Sequence, residues 1–337
     1  MAFKYFMHRH SFLRVFGCLM GLCMLGGTPA RTQNVSSDSI SAQVAELNRL
    51  FSKIYTCPPD FRWNASDSFQ SAAKSVLEAY ENTAFPFERI KSLNYFKAED
   101  NSFRMLNWGI PDEDGTVSYK ALLQVKRTSK KDYVLYEMSD MSLYQPYPEQ
   151  ISCSPQTWWG AFYYACIEKK AGNRSYYTFL GWNAGQKLYQ QSVIEVMSIK
   201  PNGEVQFGAS LFSNRGRIPG SDKTDRSRKD SDIKRVVFRF GKKTGMILRY
   251  DYQSYRAASN NAKKGERKAN MIIFDRLVPE QMSMADDYAY YIPEGGVYQA
   301  YVWENNRWRL ETDVIARNPD PHKKRKKPMV ERRFFTD

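Results

Sequence analysis

Nine consecutive residues, Val117-Ser118-Tyr119-Lys120-Ala121-Leu122-Leu123-Gln124-Val125, decide the fold class. Val117, Tyr119, Ala121, Leu123 and Val125 alternate with Ser118, Lys120 and Gln124. In an extended chain a period of two sends successive side chains to opposite faces, so the segment reads as a half-buried strand. Similar runs follow at 133–138, 160–169, 175–182, 188–199, 204–212, 235–240, 246–252, 270–276, 297–303 and 307–312. Short turn chemistry joins many of them, as in Gly172-Asn173, Pro201-Asn202-Gly203 and Glu304-Asn305-Asn306. Loops this short force neighbouring strands to run antiparallel.

The expected fold is therefore mainly β: an antiparallel meander of about twelve strands, sandwich or barrel-like. A small propeller is the rival, although the sequence carries no clean blade repeat. A parallel, nucleotide-binding sheet would need helical crossovers, and none is visible after Phe103. The two long connections are 139–155 and 213–234. The second is dense in Arg, Lys, Asp, Ser and Gly and reads as an exposed, mobile loop.

Before the strands the period is helical. Val44, Leu47, Leu50, Phe51 and Ile54 recur at three and four residues, and Cys57-Pro58-Pro59 ends that stripe. A second helix is expected from near Ser66 or Ser68, with Phe69, Ala73, Val76, Leu77 and Tyr80 facing inward. Neither helix can bury its apolar face alone, so the pair is expected to cap the sheet.

At the N-terminus, Lys4, Arg9 and Arg14 precede an apolar run from Phe16 to Gly27, and Thr28 and Ala30 set small side chains at a cleavage site. This is the pattern of a secretory signal peptide. Its apolar run is too short for a bilayer span of about 20 residues. The organisation read from sequence is a leader (1–30), a polar linker (31–41), a helical segment packed on the sheet (42–100), an antiparallel β domain (101–316) and a basic tail (317–337). The expected location is periplasmic, outer-membrane associated or secreted.

The chain carries a formal net charge of +14. Much of the excess sits in the tail, where Lys323, Lys324, Arg325, Lys326 and Lys327 run together. Such a run reads as a solvated tail or as a surface-binding element for an anionic envelope surface or partner. Export argues against nucleic acid as its target. Cys57, Cys153 and Cys166 remain once the leader is removed. In an oxidising compartment one pair can bridge, and the sequence does not say which.

Several short runs recur together: FRMLNW from Phe103 followed by Pro111 and Asp114-Gly115-Thr116, LYEMSD from Leu135, WWGAFYY from Trp158, YTFLGW from Tyr177, VIEV from Val193 leading to FGA at Phe207, IFDRLVP from Ile273, and ARN at Ala316. Over residues 103–318 this combination resembles a family of secreted proteins of Bacteroidetes bacteria to which no activity is assigned. The resemblance implies a bacterial envelope or secreted setting and a single β-rich unit, and it transfers no catalytic residue. Against that pattern the 213–234 loop is longer and more basic, and the tail after Asn318 is an addition.

Histidine narrows the chemistry. With His8 and His10 in the leader, only His322 remains, in the tail. Histidine-based hydrolases need an imidazole fixed by the fold, so they are excluded. Scattered cysteines without CxxC spacing give no zinc site, and no phosphate-cradling glycine motif is present. Asp112-Glu113-Asp114-Gly115 reads as a turn rather than a metal loop. No metal or cofactor is expected.

Carboxylate chemistry needs only two acids of unequal pKa. Glu195 and Asp275 are the weak catalytic candidates, being the strand acids with the most apolar neighbours, though a lone acid in a strand is expected on the solvent face. Trp158 and Trp159 are weak ligand-binding candidates, because adjacent residues of an extended segment point oppositely and one ring would face away from the core. The leading expectation is an exported, non-enzymatic envelope protein that binds a protein partner or an anionic surface. The alternative is a carboxylate-dependent glycan-active enzyme or sugar-binding module.

Overall fold

The structure, a computed structural model, describes residues 37–81, 85–227, 229–256 and 266–315, together with the backbone of a short strand at 330–331. The leader, the start of the linker and the run Lys323 to Lys327 lie outside the described residues.

Helix α1 (Ser37–Thr56) buries Val44, Leu47, Phe51 and Ile54, and α2 (Arg62–Ala79) buries Ser66, Phe69, Ala73, Val76 and Leu77. Both helices start earlier than expected, so α1 absorbs the end of the linker. The first sheet follows as β1 (Asn94–Lys97), β2 (Phe103–Pro111), β3 (Val117–Arg127) and β4 (Asp132–Ser139), paired in chain order. β1 lies in a segment expected to be helical.

The central sheet contains β5 (Phe162–Ala171), β6 (Arg174–Asn183) and β7 (Tyr189–Ile199), with β8 (Val205–Phe207) on β7. After β9 (Phe212–Ser213), the chain returns as β10 (Arg235–Gly241) to pair with β7. The outer sheet is β11 (Leu248–Arg256), β12 (Glu266–Pro279), β13 (Tyr291–Glu304), β14 (Arg307–Glu311) and β15 (Val314–Ile315), the last paired with β11. Finally β16 (Val330–Glu331) pairs with the edge of β5. The run expected as one strand at 204–212 is thus split, with Gly208 at φ +81° after β8. β9 joins the outer sheet by a parallel pairing of Phe212 with Trp308, a departure from the antiparallel rule.

The mainly β, antiparallel fold with a helical N-terminal layer is as the sequence predicts, and the three sheets stack. α1 and α2 share a core with Tyr95, Leu106, Trp108, Ile110 and Leu122 on one face of the first sheet. Met105, Tyr119, Ala121 and Leu123 on its other face meet Tyr177, Phe179, Val193 and Met197 of the central sheet. Leu180, Ile194, Val196 and Phe238 leave the central sheet in the opposite direction, toward Ile272, Phe274, Tyr301 and Trp308. The central sheet is therefore dry on both faces. Because the helices cover the far face of the first sheet, the stack does not close into a ring as a propeller would.

Much of the 213–234 connection is exposed, as expected, but it is pinned to the outer sheet at two points. Asn214 is buried and accepts from the Tyr301 hydroxyl at 2.7 Å, and the Gly220 N–H donates to Gln299 at 2.8 Å. Cys57, Cys153 and Cys166 are all free, so the bridge that the sequence allowed is not present. Cys166 lies on β5 while Cys153 pairs with Phe207 of β8, several strand spacings away, and a disulfide needs Cα atoms within about 7 Å.

Candidate functional site

Glu195 lies on β7 between Val193 and Met197, hence on the face turned to the first sheet. Its cross-strand partner on β10 is Arg235, and both side chains are fully buried. This corrects the expectation of a solvent-facing acid, because that face is covered by another layer. Arg235 Nε donates to Glu195 Oε1 at 2.6 Å, and Nη2 donates to the same oxygen. The other carboxylate oxygen accepts from the Tyr163 hydroxyl, which in turn accepts from Trp158 Nε1 at 2.9 Å.

The remaining Arg235 protons leave the sheet. Nη1 donates to the carbonyls of Pro148 at 2.5 Å and Ile151 at 3.4 Å, and Nη2 reaches Cys153 Sγ at 3.4 Å. A guanidinium has five N–H groups, and each has an acceptor here. The ring of Trp159 lies 5.6 Å from the guanidinium carbon, a cation–π contact. Burial alone would lower the arginine's pKa, but the adjacent Glu195 carboxylate reverses that and raises it. Burial, reinforced by Glu195, pushes the Tyr163 hydroxyl well above its ordinary value, so it stays a donor. The Cys153 thiol is also pushed up, mainly by burial, which makes it a poor nucleophile.

Sequence reasoning expected one of Trp158 and Trp159 to face outward, yet both are buried. The segment is not extended: Pro155–Thr157 forms a 3₁₀ turn, and Gly160 at φ +70° ends the approach to β5. A Cβ on Gly160 would sit 2.1 Å from Asp140 Oδ1, so only glycine fits there. Gly181 has a related role opposite Tyr163 on β6, where a Cβ would come within 2.7 Å of the tyrosine ring. The structure thus gathers Glu195, Trp158 and Trp159 into one cluster with Tyr163 and Arg235, which the sequence reading missed.

Asp275 stands elsewhere. On β12 it shares its face with Met271 and Ile273, away from the central sheet, and its Oδ2 accepts from the Ile247 N–H at 2.6 Å. Burial raises its pKa, an effect only partly countered by that hydrogen bond and by Arg249. Two sheet layers separate it from Glu195. Stacked sheets lie roughly 10 Å apart, whereas a glycosidase pair needs about 5 to 10 Å with substrate between. The two carboxylates do not form a catalytic dyad. Asp112 to Gly115 makes the expected turn, with Gly115 N–H on the Asp112 carbonyl at 3.3 Å. Among the described residues no group of acids, histidines and cysteines is placed to hold a metal, and no helix is long and apolar enough to cross a membrane.

What the buried cluster holds is the connection between β4 and β5. Met141 N–H bonds the Trp158 carbonyl at 3.0 Å, Ser152 Oγ bonds the Gly208 carbonyl at 2.8 Å, and Cys153 and Phe207 exchange backbone bonds. Arg239 adds a second clamp on Glu149 at 2.5 Å and lies over the ring of Tyr288. On this fixed backbone most of the exposed side chains are apolar or aromatic. Leu143, Tyr144 and Tyr147 are 64%, 75% and 68% exposed, and Ile151 is also exposed. Comparison of the chain with protein-family models, curated proteins and solved structures finds no match.

Proposed function

We propose that the protein is an exported, non-enzymatic β-protein of the bacterial envelope that binds a protein partner through the 142–151 loop. One observation carries the reading: large apolar side chains stand exposed side by side on a loop whose backbone is fixed by a fully buried ion pair. Exposed apolar and aromatic clusters mark interaction surfaces. A loop already held in place loses less entropy on binding. The same sealing argues against catalysis, since no substrate reaches Glu195. Export rests on the leader at 1–30, and the basic tail from Lys323 to Lys327 would add attraction to an anionic surface.

Residue-specific photo-crosslinking in the native host tests the reading. A photoreactive residue at Tyr144 should give a discrete crosslinked species, and one at exposed Arg307 should not. Equal labelling from both positions, or none from Tyr144, would overturn it. For the tail, deletion of 320–337 should weaken envelope retention at low salt; unchanged retention would remove that part.

A further inference from the structure

A second region goes beyond the partner-binding reading and does not depend on it. Lys169 lies on β5 and reaches the outer sheet, on the opposite side of the central sheet from Glu195. Its ammonium is 3.1 Å from the Tyr250 hydroxyl and 5.7 Å from the ring centroid of Trp308. Trp303 packs edge-on against Trp308 at 5.2 Å, and Tyr250 does so at 6.4 Å. Thus an ammonium sits in an aromatic recess built from both sheets.

The recess is open at one end. Tyr164 on β5 bonds the Leu248 carbonyl at 2.8 Å, while Lys169 meets Tyr250, so β5 runs alongside β11 in the direction of Tyr252. β5 stops at the Gly172 turn, and β11 continues. Tyr252 is 57% exposed, and its cross-strand partner Asn270 is exposed beside it. Lys268, on the same face of β12, is exposed one step further out. Tyr252, Asn270 and Lys268 form a shelf beyond the mouth of the recess.

Lys169 has no carboxylate within ion-pair distance among the described residues. Burial is the single influence on its pKa, and it lowers it. Half-buried cations in proteins are ordinarily paired, because desolvating an unpaired charge costs free energy. Its one hydrogen bond, to a neutral phenol, leaves two of the three ammonium protons for another acceptor. Flat rings at the mouth give a stacking surface, Asn270 adds amide donors and an acceptor, and Lys268 repeats the positive charge. A neutral sugar would leave the ammonium without its charge partner. A purely aromatic anion would leave the amide unused.

We infer that the recess and shelf formed by Lys169, Tyr250, Tyr252, Asn270 and Trp303 bind an acidic saccharide, its carboxylate on Lys169 and its ring stacked on the aromatic shelf.

Titration calorimetry on the full-length mature protein tests this, using oligosaccharides of galacturonate, glucuronate and mannuronate alongside their neutral counterparts. At least one uronate series should bind at least tenfold more tightly than its neutral match. Lys169→Met keeps the apolar stem and removes the charge, so it should erase that preference. Tyr252→Ala, at an exposed position, should weaken uronate binding at least fivefold with an unchanged unfolding curve, which keeps the test valid should Lys169→Met unfold. Binding of no uronate, equal affinity for acidic and neutral forms, or indifference to both variants would overturn the assignment. A loop variant carrying serine at 143, 144 and 147 should leave uronate affinity unchanged, so failure here and failure of partner binding are separable.

Discussion

Arg235 and Lys169 occupy opposite faces of the same central sheet and lie at nearly equal distances from a tryptophan ring, 5.6 Å from Trp159 and 5.7 Å from Trp308. Arg235 is sealed, paired with Glu195 and satisfied at every proton. Lys169 is half-buried, bonded to a phenol and, among the described residues, without a carboxylate. The difference separates two uses of a buried cation. The paired one fixes backbone, because its spare protons tie carbonyls of a loop to the sheet. The unpaired one stands at an opening and keeps its binding capacity.

The largest effect expected from breaking this contrast is on stability. Arg235→Met leaves Glu195 buried without its partner, and removing one partner of such a pair costs about 3–5 kcal/mol. Urea unfolding at pH 7 should show that loss. The double variant Glu195→Leu with Arg235→Met should recover a large part of it, because both charges are then gone. A single variant as stable as the parent would show that the pair does not clamp the loop.

Asp140 sharpens the same side of the comparison, because it anchors the loop where it leaves β4. Its Oδ1 accepts from the Ser142 N–H at 2.8 Å, yet burial outweighs that bond and pushes its pKa up to about 6. In the unfolded chain an aspartate titrates near 3.9. Between about pH 4 and 6 the folded state therefore holds the extra proton, and stability falls as pH rises through that window. Above pH 6 the full cost is present, roughly 3 kcal/mol. Asp140→Asn keeps the acceptor and removes the titration. Its stability relative to the parent should rise by roughly that amount between pH 4 and 7.5, whereas a constant difference would place Asp140 in water.

The two faces differ in how far the sequence revealed them. The alternation at Val117 to Val125 showed a strand with one buried face, and the helical stripe from Val44 to Ile54 showed the cap, because each period reports directly on burial. At Val193-Ile194-Glu195-Val196-Met197 the assumption of one wet face failed. Apolar residues on both parities of that run, interrupted only by Glu195, are the pattern of a strand covered on both sides, and read so they would have placed Glu195 inside. Its partner was not legible, since β10 returns to β7 from 40 residues away in sequence. Trp158 and Trp159 misled because the outward-facing argument needs an extended chain; Pro155 and Gly160 were the available warnings. The Lys169 recess is assembled from β5, β11, β13 and β14, so no local period could announce it.

On the open face the stability effect should be small. Lys169→Met removes a cation–π contact of about 0.5–1 kcal/mol and replaces it with an apolar side chain in an aromatic setting. Its urea midpoint should stay close to that of the parent. A loss as large as that of Arg235→Met would mean that Lys169 is structural and that the contrast between the two cations is false.

The smallest stability change is expected where the functional change is greatest. Replacing Leu143, Tyr144 and Tyr147 with serine removes exposed side chains, and surface substitutions of this kind stay within about 0.5 kcal/mol. If the clamp serves to present that surface, this triple variant should lose the partner while keeping its unfolding curve. Arg235→Met, which leaves the surface residues intact, should lose both stability and partner, since Pro148 and Ile151 are released. Lys169→Met should keep both. In-cell crosslinking on these three proteins separates the surface from its support. Should Arg235→Met remain folded and crosslink like the parent, the buried pair would be a feature of the core alone, and the loop would hold its shape through Ser152, Cys153 and Glu149.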